Sequence, residues 1–309
     1  MASGGDDEDG EEGGVVFGDG NWGFEVVMVL SGWALLKVRR VVEMGMDQEE
    51  GGGGNDLMGE RRAEVLNKAL GEMKVAAGVF AYLEGELCMQ CFTQFHQHVC
   101  KDEDGDTGRE GRVAPPEIHP DVVKGFKFLA LGLGQLIAFR LADLKEMSAA
   151  TCAKLLVAAM NLFRLSLRSL NAPLGSQIVE INKGVFELVE GMIELCQALV
   201  WKFMGIECNK KQEWGKGVKY LRSSLEKVNR LIEEGVVGRD VMRKGVEIER
   251  RKVEELFEKY RLENERIYYE TEPELNELDV MQQRVVVQVV KYVPTNPPEI
   301  PVKTVKKEE

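Results

Sequence analysis

The chain has 309 residues, 44% hydrophobic and 30% charged, with a formal net charge of −12. That length allows one large or two medium domains with a sizeable core, and the lack of a long basic stripe argues against nucleic acid as a partner. The six cysteines (88, 91, 100, 152, 196 and 208) lie mostly inside apolar helical patterns, which is the usage of buried cytosolic thiols and not of a disulfide framework.

Residues 1–20 are acidic and glycine-rich and are expected to form a disordered tail. They have neither the basic nor the apolar region of a signal peptide. Residues 22–46 read as a helix that is apolar around most of its circumference. "DQEEGGGGND" is a flexible linker. A long helix is expected from 58 to 98, with Val65, Leu66, Ala69, Met73, Ala76, Ala77, Phe80 and Leu83 at three-four spacing. "KDEDGDTGREGRVAPPE" is a surface loop by composition. Further helices are expected at 119–146, 148–171, 177–209, 212–233 and 238–270, with Pro173 marking the break in "NAPLGS". The only strand-like run, "RVVVQVVKYV" at 284–293, is too isolated to make a sheet and is followed by the extended, proline-containing "PTNPPEIPVK".

Long helices on short links give an all-α fold: a solenoid or bundle with an extended carboxy-terminal arm. The expected division is a tail at 1–20, a helical domain at 22–293 and an extended tail at 294–309. The longest apolar runs, 26–36 and 128–139, fall short of the roughly 18 residues that span a bilayer, which suggests a soluble intracellular protein.

Residues 201–225, "WKFMGIECNKKQEWGKGVKYLRSSL", resemble a tetratricopeptide unit. Trp201, Gly205, Trp214, Gly217, Tyr220, Ser224 and Leu225 occupy its signature places. Gly205 and Gly217 would let two antiparallel helices approach closely, with the two tryptophans filling the crevice. Any helical hairpin with small residues at its crossing is the alternative.

No catalytic set emerges, so no enzyme activity and no cofactor are expected. Cys88, Cys91 and His96 match the start of a zinc knuckle, but Cys100 comes one place early and the turn glycine is missing. Asp102, Asp104 and Asp106 mimic a calcium loop, yet Thr107 replaces the turn glycine and Val113 the bidentate glutamate. "LGLG" at 131–134 follows no strand and lacks a third glycine. Metal is therefore not expected.

The stretch "ELFEKYRLENERIYYETEPEL" at 255–275 ends a charged helix on aromatics and turns at once into an acidic, proline-containing segment. Glu263, Asn264, Glu265, Ile267, Tyr268, Glu272 and Pro273, with Leu275 and Leu278 after them, are similar to the end of the BRO domain. "AAGVFAYL" at 76–83, "PPEIHPDVVKGFKFLALGLGQLIAF" and "MSAATCAKLLVAA" at 147–159 also resemble that family, in the family's order. The likeness is to the single-domain members, the plant BRO-like, PalC-like and BROX-like proteins. In that fold the chain leaves its last helix and runs back in extended form along the bundle. Family domains begin with a small sheet and helices upstream of the present first helix, which suggests an amino-terminally shortened member or an incomplete gene model. The helix at 22–46 would then expose an apolar face and favour self-association.

The resemblance implies a non-enzymatic adaptor of the endosomal sorting (ESCRT) pathway, cytoplasmic and recruited to endosomes, with pH-response signalling as one setting. Its partner would be the carboxy-terminal amphipathic helix of an ESCRT-III filament subunit, held in an apolar groove. The family's groove positions fall here on Thr151 and Leu155, on Ala138 or Phe139 one helix earlier, and on Val286 of the returning arm. Thr151 and Ala138 replace bulky apolar residues of that pattern. Ordinary core packing is the alternative for Leu155, Phe139 and Val286. Two other functions stay open: a tetratricopeptide-like adaptor unrelated to ESCRT, and a metal-binding regulator built on 88–100.

Overall fold

The computed structural model describes residues 22–46, 56–99, 115, 118–172, 183–234, 240–274 and 283–293. Among these residues there is no strand. The helices are α1 (Trp22–Met46), α2 (Asp56–Leu83), α3 (Glu86–Val99), α4 (Pro120–Leu144), α5 (Ala149–Asn171), α6 (Lys183–Lys210), α7 (Trp214–Glu233) and α8 (Asp240–Glu263). The expected tail at 1–20, the calcium-like loop and the segment at 294–309 lie outside the described residues.

Local chemistry sets several boundaries. His119 caps α4, its Nδ1 accepting from the Asp121 N–H at 3.2 Å. Pro120 follows at the first helical position, where its missing N–H costs nothing. Ser148 caps α5, its Oγ accepting from the Thr151 N–H at 3.3 Å. Two expected boundaries are corrected. The helix expected over 58–98 is two helices, α2 and α3, separated by a tight turn at Glu84 and Gly85. The helix expected to reach 270 loses its regular pitch at Glu263 and closes in a π-helical turn, Asn264–Tyr268.

The helices pack in succession, α1 on α2, α2 on α4, then α4, α5, α6, α7 and α8 each on the next, with α3 making smaller contacts to α1, α2 and α4. This is a solenoid around one long core. Close crossings depend on missing side chains. A Cβ on Gly132 would lie 2.7 Å from the Phe163 ring, and one on Gly125 2.6 Å from Leu170. At the tetratricopeptide-like pair, a Cβ on Gly205 would lie 3.1 Å from the Gly217 carbonyl oxygen and 2.8 Å from Leu221. The glycine part of that expectation holds. The tryptophan part is corrected for one of the two. Trp201 is half-buried against the core, with Lys227 of α7 5.8 Å from its ring centroid, whereas Trp214 faces the end of α8, stacked on Tyr268. Tyr220 and Leu221 are the fully buried side chains at the crossing.

By length and composition alone α4 and α5 could cross a membrane, which corrects the expectation drawn from the shorter apolar runs. Here they are core helices, each more than half enclosed by its neighbours. A buried ion network ties the far end of the solenoid together. Glu249 of α8 accepts from Lys202 of α6 at 2.8 Å and from Arg140 of α4 at 3.2 Å. Lys252, one turn along α8, donates to it at 3.1 Å.

Candidate functional site

The site builds from the end of α8. The turn at Asn264–Tyr268 places Tyr268 flat on Trp214, ring centroids 3.8 Å apart and 5° from parallel. Tyr269 takes a left-handed backbone, φ 55°, which stops the helix. Asn264, buried, then bonds the reversed chain both ways: its Nδ2 donates to the Glu270 carbonyl at 2.9 Å and its Oδ1 accepts from the Glu270 N–H at 3.0 Å. Glu270 Oε2 accepts from the Gly215 N–H at 2.8 Å, and a Cβ on Gly215 would meet the Thr271 carbonyl oxygen at 2.3 Å. Arg222 grips Glu272 through two bonds, at 2.6 and 3.0 Å. The aromatic ending of α8 is thus a fixed exit across α7.

The chain returns at 283–293 as an extended arm. Gln283 accepts from Asn161 Nδ2 of α5 at 2.9 Å, and the Arg284 N–H donates to the Lys154 carbonyl at 3.1 Å. The arm then crosses α4. There Gln135, wholly buried, accepts from the N–H groups of Val286 and Val287 at 3.2 Å each and donates to the Arg284 carbonyl at 2.9 Å. Finally the arm runs along α2. Val287 is buried over Gly134, the Val290 carbonyl oxygen would lie 2.0 Å from a Cβ on Gly78, and Tyr292 meets Tyr82 edge to face. A residue with a side chain at 78 would push the arm away.

The groove residues suggested by the sequence lie around this crossing. Thr151 and Leu155 are one turn apart on α5, on either side of Lys154, which holds the arm. Ala138 lies one turn beyond Gln135 on α4. Val286 sits on the arm between the bonds to Lys154 and Gln135. Their exposure differs. Val286 is 44% exposed, and Ala138 and Thr151 are half-buried. Leu155 is only 4% exposed, and Phe139 packs edge to face on Phe203, so these two belong to the core as the structure stands. Val285 on the arm, and Leu144 and Met147 at the α4–α5 turn, are also exposed. Gln135 was not singled out in the sequence. Its signal is a lone amide inside the apolar run "LALGLGQLIAF".

The strongest electrostatic shifts belong to the buried framework. Burial opposes the charge on Glu249, but Lys202, Arg140 and Lys252 outweigh it and hold its pKa down to about 2. Cys88 and Cys91 are buried in the core. Burial pushes the Cys88 thiol up to about 12, with Cys91 beside it adding to the shift. The Cys196 thiol is likewise raised to about 12 by burial. Protonated buried thiols are poor nucleophiles and poor metal ligands. The other members of the zinc-like motif, the His96 side chain and Cys100, lie outside the described residues.

Comparison with known proteins gives a consistent picture. A family model described as "BRO1-like domain" matches residues 55–308. No curated protein matches the chain in sequence. Among solved structures the fold resembles "ALIX BRO1 CHMP4C complex" at 20% identity and a TM-score of 0.62, over 92% of this chain and 66% of that one. It also resembles "Crystal Structure of ALIX in complex with the SIVmac239 PYKEVTEDL Late Domain" at 18% and 0.63, over 92% of this chain and 34% of that one. A third likeness is to "Structure basis for endosomal targeting by the Bro1 domain", at 12% and 0.58, over 86% and 62%. The chain therefore spans about two thirds or less of the length of each, and at these identities the shared property is the fold.

Proposed function

The chain belongs to the BRO1-like domain family, and on that premise we propose that it is a non-enzymatic adaptor of the endosomal sorting pathway. Its ligand is the carboxy-terminal amphipathic helix of an ESCRT-III filament subunit. That helix docks beside α5 and the arm, with Ala138, Thr151 and Val286 at the surface and Phe139 and Leu155 beneath them. The protein works in the cytoplasm and reaches endosomes through this partner, with pH-response signalling as one setting.

One observation carries the reading: the Gln135 side chain fixes the arm across α4, and so holds Val286 exposed next to the outer face of α5. Two walls from distant parts of the sequence, one helical and one extended, suit an amphipathic helix laid between them, with a few aliphatic anchors giving most of the affinity. A neighbour described as a BRO1 complex with CHMP4C adds support by analogy of fold. Thr151 and Ala138 offer less apolar area than large aliphatic residues would, so the affinity expected is modest.

The test is a pull-down of the purified chain by an immobilised ESCRT-III carboxy-terminal peptide. A peptide of the same composition, scrambled to destroy its apolar stripe, is the control. Retention by the native peptide alone is the expected result. Equal retention by both, or by neither, contradicts the proposal.

A further inference from the structure

Helix α1 has two apolar faces. Val27, Ser31, Ala34 and Val38 are buried, and the main neighbour of α1 is α2. Val26, Val29, Trp33 and Leu36 recur at intervals of three, four and three and stay exposed, Val29 at 69% and Leu36 at 64%. At 3.6 residues per turn these four fall in one stripe about 80° wide, on the side away from the buried face. Among the described residues no other α-helix has more than one large apolar side chain exposed. A helix apolar on opposite sides is an interior helix.

The spacing of the stripe indicates what covers it. Three-four-three is the seam of a two-stranded coiled coil. Two copies of α1, antiparallel about a twofold axis level with Ser31, would set Val26 on Leu36 and Val29 on Trp33 of the second copy. That register also places Glu25 of each copy opposite Arg39 of the other, both exposed and on the same flank of the seam. Gly32 lies between them on that flank, where an added Cβ would meet nothing within 4 Å, so the helices have room to close. Parallel pairing would set Val26 on Val26 and bring no base opposite Glu25. The aromatic anchor is ordered in advance: Lys37 lies 4.4 Å from the Trp33 ring centroid while it pairs with Glu72 of α2. A side chain held this way loses little freedom on docking.

We infer that α1 is a dimerisation helix. A second copy of this chain packs antiparallel on Val26, Val29, Trp33 and Leu36, and Glu25 and Arg39 fix the register. The interface is isologous, so every contact occurs twice. It is separate from the groove at the arm.

Sedimentation equilibrium of the full chain over a concentration series tests this. The wild type is expected to fit a monomer–dimer equilibrium. Val29→Glu and Leu36→Glu, at exposed positions that leave the core intact, are each expected to weaken the dimer about tenfold or more, with unchanged helical circular dichroism. Glu25→Lys should weaken it, and Glu25→Lys combined with Arg39→Glu should restore it. A wild type that stays monomeric overturns the proposal, as does a polydisperse series without a defined dimer. Dimers indifferent to Val29→Glu and Leu36→Glu, or a charge exchange that fails to restore pairing, overturn it equally. A monomer that binds phosphatidylcholine vesicles through this stripe assigns it to a lipid surface and overturns it too.

Discussion

Gln135 Oε1, deep in α4, accepts from the backbone N–H of Val287 at 3.2 Å across 152 residues of sequence. The same side chain holds Val286 and Arg284, so one amide fixes the height of residues 284–287 over α4. Gln135→Leu keeps the approximate volume and removes every bond. Leaving buried backbone groups unpaired costs about 1–3 kcal/mol each unless water reaches them. The arm is therefore expected to lift, and hydrogen exchange at 284–287 should rise well above that of the helices. Exchange at those positions that matches the wild type would contradict this.

Gly78 provides a second, independent release. Alanine is the better helix former by about 0.5–1 kcal/mol, so Gly78→Ala should stiffen α2. Its Cβ, however, would stand 2.0 Å from a backbone oxygen of the arm, which cannot rotate away. The expected outcome is a melting temperature near that of the wild type, combined with faster proteolysis or exchange at 288–292. A slow-exchanging arm in this variant would show that the close approach is relaxed in solution.

The exit of α8 should be separable from the arm. An aromatic stack contributes about 0.5–1.5 kcal/mol beyond its buried area, and the partly exposed Arg222–Glu272 pair is worth about 0.2–1 kcal/mol. Tyr268→Ala is therefore expected to cost more stability than Glu272→Ala in urea titrations, and to change the fluorescence of Trp214. The reverse order of costs would contradict the geometry.

Glu249 gives the pH dependence. Its folded pKa is lowered from 4.5 to about 2. Its contribution to stability is thus fully present above the unfolded value of 4.5 and is lost as pH falls toward 2. Glu249→Gln leaves Lys202 buried without its counter-charge and is expected to cost about 3–5 kcal/mol at neutral pH. It should also flatten the fall in melting temperature between pH 4.5 and 2 relative to the wild type. An unchanged acid slope would mean that the network carries no such linkage.

The helices were legible because their apolar residues repeat at three-four spacing over long stretches, as in Val65 to Leu83. The α2–α3 break was not, since Glu84 and Gly85 interrupt an apolar pattern that continues through Cys88 and Cys91. The aromatics mark the exit at Tyr268 and the isolated valine run argues against a sheet, while the return of the chain along the bundle is what the resemblance to the BRO domain implies. The arm's register could not, because it depends on a hydrogen-bonding side chain from α4 and a missing side chain on α2. Val286 and Val287 show the limit most clearly. Adjacent valines in an extended chain face opposite ways, and the sequence alone does not say which is buried. The structure buries Val287 and leaves Val286 exposed, and it places Phe139 and Leu155 in the core.

The most direct test of the docking surface is titration of an ESCRT-III carboxy-terminal helix peptide into the wild type, Val286→Asp and Thr151→Asp by isothermal calorimetry. Both substitutions lie at positions that are not fully buried, so the fold should survive, unlike in Leu155→Asp, where a charge would enter the core. The account predicts a defined affinity for the wild type and binding weakened about tenfold or more in both variants, with helical circular dichroism unchanged. A wild type that does not bind, or variants that bind as it does, would contradict the assignment of the groove to this face.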